Sequence, residues 1–359
     1  MRFRKKNIDD RSAESSVTEQ PQDPFYPTAY TSPAFQRKNT KGNLGIYLGM
    51  VACSVVFIVS AILLINYLGN IHSAENATAQ LRVLYQPPEP TDNVHTTAAT
   101  SAPDPVLPQA TAYPVTERTS ATVPVLAPDV TGADFLTAWP NKYPGNEQFF
   151  ISERFRPLRQ QNRDIVAWLT IDGVVDEPVF QRDNSYYLTH DATGKKNPTG
   201  ALFLDENCDL RTVPMQILIH GHNMKEGAMF GSLKKYKVKD AAFYREHPYI
   251  HLDTLYESAT YVIFAVADVN IIPGKPHYFP FWNQFSFSNY HDFHHYVSLI
   301  KEYSRYKTTI DVQPGDRLLT LATCSGDDND LRLVVMARML RPDEDTIALT
   351  NQIYSATAK

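Results

Sequence analysis

The sequence predicts a mainly β domain, a closed barrel or sandwich, preceded by one transmembrane helix. Three observations predict it. Residues 44–68, LGIYLGMVACSVVFIVSAILLINYL, carry no charge, and as a helix they span about 37 Å at 1.5 Å per residue, enough to cross a bilayer. From residue 133 onward, short apolar and β-branched runs recur between clusters of Gly, Asn, Asp and Pro. Helical spacing is confined to two short stretches of that region, too few to alternate with the strands in βαβ units.

Taken in order, residues 1–43 are polar, rich in Pro, Ser and Gln and of both charge signs, and are expected to form a disordered cytoplasmic tail. Eight Lys and Arg precede the apolar span, whereas residues 71–131 hold only Arg82 and Arg118. The positive-inside rule therefore places the N-terminus in the cytoplasm and the bulk of the chain outside. A cleaved signal peptide would need a shorter apolar region and a small-residue cleavage site, and this segment offers neither. Residues 69–132 include QPPEPTDNVHTTAATSAPDPV and are rich in Pro, Thr and Ala. Such composition buries too little apolar surface to offset its ordering entropy, so an extended stalk is expected.

A globular domain is expected over 133–345, with a C-terminal tail over 346–359. It opens with a helical pattern in which Phe155 and Leu158 share a side, running into a strand at 165–171. Further strands are read at 178–181, 201–205, 215–222, 261–269, 317–324 and 332–340. An amphipathic helix is read at 290–305, where Phe293, Tyr296, Val297 and Ile300 fall at helical spacing. A hydrophobic content of 43% with 11% aromatics suffices for a core. The net charge of -5, with no basic run after residue 41, excludes a nucleic-acid binder.

Of three cysteines, Cys53 lies in the apolar span, which leaves Cys208 and Cys324, too few for a disulfide framework. Cys324 closes the strand-like TLATC before the polar turn SGDDND, a setting that can present its sulfur at a barrel rim. A packed small hydrophobe is the plain alternative. His220 and His222 lie in ILIHGHNM, on one face if the strand continues through Gly221. An imidazole is the usual group that turns a thiol into a thiolate. Arg332, eight residues after Cys324, returns beside it if the turn closes a hairpin, where a guanidinium could hold an oxyanion. Two metal readings compete. HDFHH offers His291 and His295 at i, i+4 without the Glu of a zinc protease motif, and His220, His222 and Cys324 would need a fourth ligand.

Residues 155–340 resemble a sortase of class B. RPLRQQNRDIVAWLTIDGVVDEPVFQ resembles the segment leading into that class's first barrel strands, and DNSYYLTHDATGKKNPTGALFLDENCDL its next block. HGHNMKEGAMFGSLKKY resembles the histidine motif, usually written with Tyr where this chain has His220. TLATC with Arg332 is similar to the TLxTC motif and its arginine. The resemblance implies the sortase β-barrel with an N-terminal helix and a helix between late strands. It implies a cysteine transpeptidase with Cys324 as nucleophile, His222 as proton carrier and Arg332 as oxyanion stabiliser, and with no metal or organic cofactor. It further implies that Asn184, Leu188 and Thr323 line the peptide groove, and that Cys208 is structural. Ala322 stands where Ser is common. The implied partners are secreted proteins bearing a C-terminal sorting signal, and an amine of a cell-wall precursor or pilin as acceptor. The alternatives are a cysteine endopeptidase, in which water resolves the thioester, and a non-catalytic stalked surface protein. NPTG at 197–200 reads as turn chemistry.

Overall fold

A computed structural model describes residues 41–85, 139–225, 227–238, 240–324 and 330–359. Residues 1–40 of the tail expected over 1–43, and most of the expected stalk, lie outside these residues. Two compact units divide between Val59 and Ser60. In the first, the helix α1 (Lys41–Leu84) begins. Its side chains over 46–59 are all exposed, Phe57 by 75%. Apolar on every side, this helix is long and apolar enough to cross a bilayer.

In the second unit α1 runs on past Leu68 to Leu84, which corrects the stalk expectation at its N-terminal end. Ala74, Ala77, Thr78 and Leu81 are buried, spaced three and four apart as one helix face requires. Arg82 Nε lies 2.5 Å from Asp176, and the Tyr85 ring stacks on Trp168 at 4.2 Å. The docking stripe is narrow and built of small residues, so composition alone reads it as linker. The first proline after the apolar span is Pro87, three residues past Leu84.

Eight strands close the barrel in the order β1-β2-β3-β4-β8-β9-β6-β5. They are β1 (Ile165–Ile171), β2 (Val175–Phe180), β3 (Leu202–Leu204), β4 (Gln216–His220), β5 (Tyr249–Thr254), β6 (Ser258–Asn270), β8 (Leu318–Cys324) and β9 (Leu331–Met339). The pairs β2–β3 and β4–β8 are parallel, and the rest are antiparallel. The strand β5 has no counterpart among the expected strands, because His251 and Asp253 interrupt its apolar run. Its Ile250 and Leu252 are nonetheless buried.

Short helices decorate the barrel. The helix α2 (Phe155–Gln161) buries Phe155 and Leu158 as the pattern predicts, and α3 (Ala242–Glu246) precedes β5. The helix between late strands is α4 (Tyr290–Tyr303), capped by Asn289 and burying Phe293, Tyr296, Val297 and Ile300. One amide ties it to the barrel. Gln216 is fully buried; its oxygen accepts from Tyr296 Oη at 2.8 Å and Thr320 Oγ1 at 3.2 Å. Its nitrogen donates to the carbonyls of Phe281 and Gln284, so all four hydrogen-bonding positions are used.

The C-terminus corrects a second expectation. Residues 346–359 fold as α5 (Thr346–Tyr354), capped by Asp345, and β10 (Thr357–Ala358), which pairs with β7 (Tyr306–Lys307). Leu349, Ile353 and Ala356 are buried. The helix buries only Leu349 and Ile353 and exposes Ile347 and Tyr354, so its apolar pattern marks no clear face in the sequence.

Candidate active site

Strand alternation sets the site. Along β8, Thr320, Ala322 and Cys324 share one face, and the bond network through Gln216 puts Thr320 on the face that α4 covers. Cys324 therefore lies on the outer face of the barrel, half-buried at the strand end. Thr323 alternates to the other face and is 3% exposed. Its side chain turns into the barrel wall, a correction to its expected place in the peptide groove that follows from the two-residue period.

Arg332 is the direct cross-strand partner of Cys324 in the antiparallel β8–β9 pair. Partners of this kind have Cα atoms about 4.5–5.5 Å apart and point to the same face. The two side chains thus leave the same face of the sheet, and Arg332 Nη1 donates to Leu331 O at 3.1 Å. Residues 325–329, which join the two strands, lie outside the described residues.

On the other flank, β4 runs parallel to β8 with His220 beside Ala322. Two bonds extend that alignment past the end of β4. Gly221 N donates to Ala322 O at 3.2 Å, and Asn223 Nδ2 donates to Cys324 O at 2.9 Å. His222 is carried between them to the level of Cys324, opposite Arg332. Its Nε2 lies 2.8 Å from Leu188 O, and a carbonyl can only accept, so Nε2 bears the proton and Nδ1 is the nitrogen left for exchange.

The loop that holds His222 is itself tied down. Asn197, within NPTG, is buried; its Nδ2 donates to Asn70 O of α1 at 2.8 Å, and its Oδ1 accepts from Thr199 N. Gly200 has φ +65°, and a Cβ there would lie 2.5 Å from Tyr187 O and 3.0 Å from His222 Cδ2. Only glycine fits both conditions. Leu188 is exposed beside this loop, and Asn184 bonds Asp205 through Nδ2 at 3.0 Å. Sequence reading missed Asn197, Gly200, Asp205 and Asn223, which support the site through backbone and second-neighbour bonds that carry no motif.

The competing features sit elsewhere or are otherwise engaged. His291 and His295 are exposed, their rings 6.5 Å apart, and no cluster of three His, Cys, Asp or Glu poised for a metal occurs among the described residues. Cys208 is fully buried, and burial pushes its thiol up to about 12; such a thiol stays neutral and packs.

A family model described as a sortase domain matches residues 175–340. The Sortase B of Listeria monocytogenes is 31% identical over 194 residues, which cover 53% of this chain and 75% of that protein. The Sortase B of Staphylococcus aureus is 26% identical over 198 residues, 54% of this chain and 78% of that protein. Sortase B from B. anthracis in complex with AAEK1 is 32% identical, covering 53% of this chain and 86% of that one, with a TM-score of 0.47.

Proposed function

Because the chain belongs to the sortase family, in its class B branch, we propose that it is a membrane-anchored transpeptidase with Cys324, His222 and Arg332 as its catalytic residues. The observation that carries this reading is the pairing of Cys324 with Arg332 on adjacent strands, with the His222 segment bonded to Cys324 O through Asn223 on the opposite side. A nucleophile, an oxyanion donor and a proton carrier on one outer barrel edge are the parts that acyl transfer needs.

In the proposed reaction the Cys324 thiolate attacks the Thr carbonyl of a sorting motif in a secreted protein. A tetrahedral oxyanion forms beside the Arg332 guanidinium. The C–N bond breaks as His222 protonates the leaving amine, and a thioacyl enzyme remains. An amine of a cell-wall precursor or pilin then attacks the thioester while His222 takes its proton; the C–S bond breaks, which restores the thiolate and the protonated imidazole and makes a new amide. Asn184 and Leu188 are proposed to contact the peptide.

The apolar half of α1 is proposed as the anchor, N-terminus cytoplasmic, with residues 86–132 as stalk and the catalytic domain outside. The charge asymmetry across the span supports this orientation. Tethering confines enzyme and membrane-retained substrates to one surface, which raises their effective concentration.

The test incubates the purified protein with a panel of synthetic Thr-containing sorting peptides, with and without a primary amine. The expected result is an acyl adduct on Cys324 by mass spectrometry, and an amide product whose yield rises with amine. Hydrolysis indifferent to amine would make the chain an endopeptidase, and absence of any Cys324 adduct would overturn the assignment.

A further inference from the structure

The outer face of β4 carries a second histidine that the proposed transfer steps do not use. His220 pairs with Ala322 and so shares the face of Cys324, one pleat repeat, about 6.6 Å, along the strand from its level. Its Nε2 lies 2.9 Å from Asp205 Oδ2, and the same oxygen accepts from Asn184 Nδ2 at 3.0 Å. Asp205 is 2% exposed, and its other oxygen accepts from Asn207 N at 2.9 Å and Asn207 Nδ2 at 3.0 Å. Burial alone would raise this carboxyl, but the hydrogen bonds from His220 and Asn207 outweigh it and hold the group below its ordinary range.

An ionised carboxylate only accepts, and this fixes two orientations. His220 must carry its proton on Nε2, and Nδ1 has no bonding partner among the described residues. Asn184 must turn its NH2 toward Asp205, because its Oδ1 accepts from Glu206 N at 2.9 Å. The His220 ring is held from a second side by stacking on Phe203 at 5.1 Å, yet its side chain keeps 23% exposure. Two side chains are thus set in advance by one buried oxygen, so neither would lose rotamer freedom when a peptide arrives.

We propose that Asp205 is a positioning residue that joins His220 and Asn184 into one rigid unit, and that His220 Nδ1 accepts a hydrogen bond from a backbone N–H of the bound peptide. This inference rests on the sorting-peptide reading above. It makes His220 a specificity residue and gives it no part in the bond-breaking steps.

The test uses the full chain in detergent and the synthetic peptide that acylates Cys324 fastest. Binding is measured by calorimetry in a Cys324→Ala background, and turnover in the wild-type background. Asn184→Ala, His220→Phe and Asp205→Asn are each expected to weaken binding about 10-fold, and the Asn184→Ala/His220→Phe pair by about 10–20-fold rather than the product near 100-fold, because neighbours sharing one partner are not additive. KM rises in step while kcat stays within about threefold, as uniform binding requires. His220→Phe keeps the stacking ring and loses only the nitrogens, so it remains informative if Asp205→Asn fails to fold. A scan of peptides N-methylated at each backbone nitrogen should find one position that costs the wild-type groove about 10-fold and costs His220→Phe nothing. Multiplicative losses in the pair, wild-type binding by His220→Phe, a fall in kcat without a change in KM, or no N-methyl position masked by His220→Phe would each overturn the proposal and leave the sorting-peptide reading standing. Failure of the Cys324→Ala chain to bind any peptide, together with no adduct on Cys324, would bring down both.

Discussion

Gly200 holds a backbone conformation that other residues adopt only under strain, and it does so against the His222 ring. A methyl group there must displace either the Tyr187 carbonyl or the imidazole. Gly200→Ala is therefore expected to destabilise the domain by about 1–3 kcal/mol and to lower kcat/KM by about 10-fold or more, as small misplacements of a catalytic group do. Thermal melts and steady-state assays on one preparation check both. Arg332→Lys keeps the charge and loses the planar fork; if Arg332 is the oxyanion donor proposed above, kcat should fall about 100-fold with KM changed far less, because such a donor acts on the transition state. Equal losses in kcat and peptide affinity would instead assign Arg332 to ground-state binding. The sequence brings Cys324, His222 and Arg332 forward as candidates, because each lies in a short motif whose spacing survives without coordinates. Thr323 was misjudged for the opposite reason. Its neighbour is the proposed nucleophile, yet alternation sends consecutive strand residues to opposite faces.

At the scale of elements, the second half of α1 behaves as part of the barrel domain. Its buried face meets Glu177, whose carboxyl burial pushes up to about 7 against the opposing charge of Arg82. In the unfolded chain this group ionises near the ordinary glutamate value of 4.5. Between those values the unfolded state releases a proton that the folded state keeps, so this group's contribution to stability falls as pH rises from about 4.5 to 7 and levels off above. Glu177→Gln should flatten that slope; melts of wild type and variant at pH 4.5 and pH 7.5 measure it, and a slope unchanged by the substitution would place the titration elsewhere. The strands and α4 were readable because apolar period and turn chemistry agree over each. The docked part of α1 was hidden in a stripe of two alanines, a threonine and a leucine. β5 was hidden because two polar residues interrupt its apolar run.

For the whole molecule, the boundary that matters functionally falls inside α1. A chain beginning at residue 69 is expected to leave the membrane fraction, and to turn over soluble peptide within about twofold of the full chain, since catalysis needs no lipid contact in the proposed mechanism. A chain beginning at residue 86 loses Leu81, Arg82 and Tyr85, and should melt several degrees lower, because full burial of a Leu side chain alone contributes about 1.5–3 kcal/mol. Fractionation and melting of the two truncations separate anchor from fold. The sequence by itself determined the apolar span, the charge asymmetry around it, the succession of strands and the family motifs, because those signals are local, written in periods and short spacings. Tertiary structure alone decided that α1 docks on the barrel, that the C-terminus folds, and that Asp205, Asn197 and Asn223 brace the site. These depend on bonds between residues far apart in the chain, and no local pattern encodes a partner chosen by the closing of a barrel.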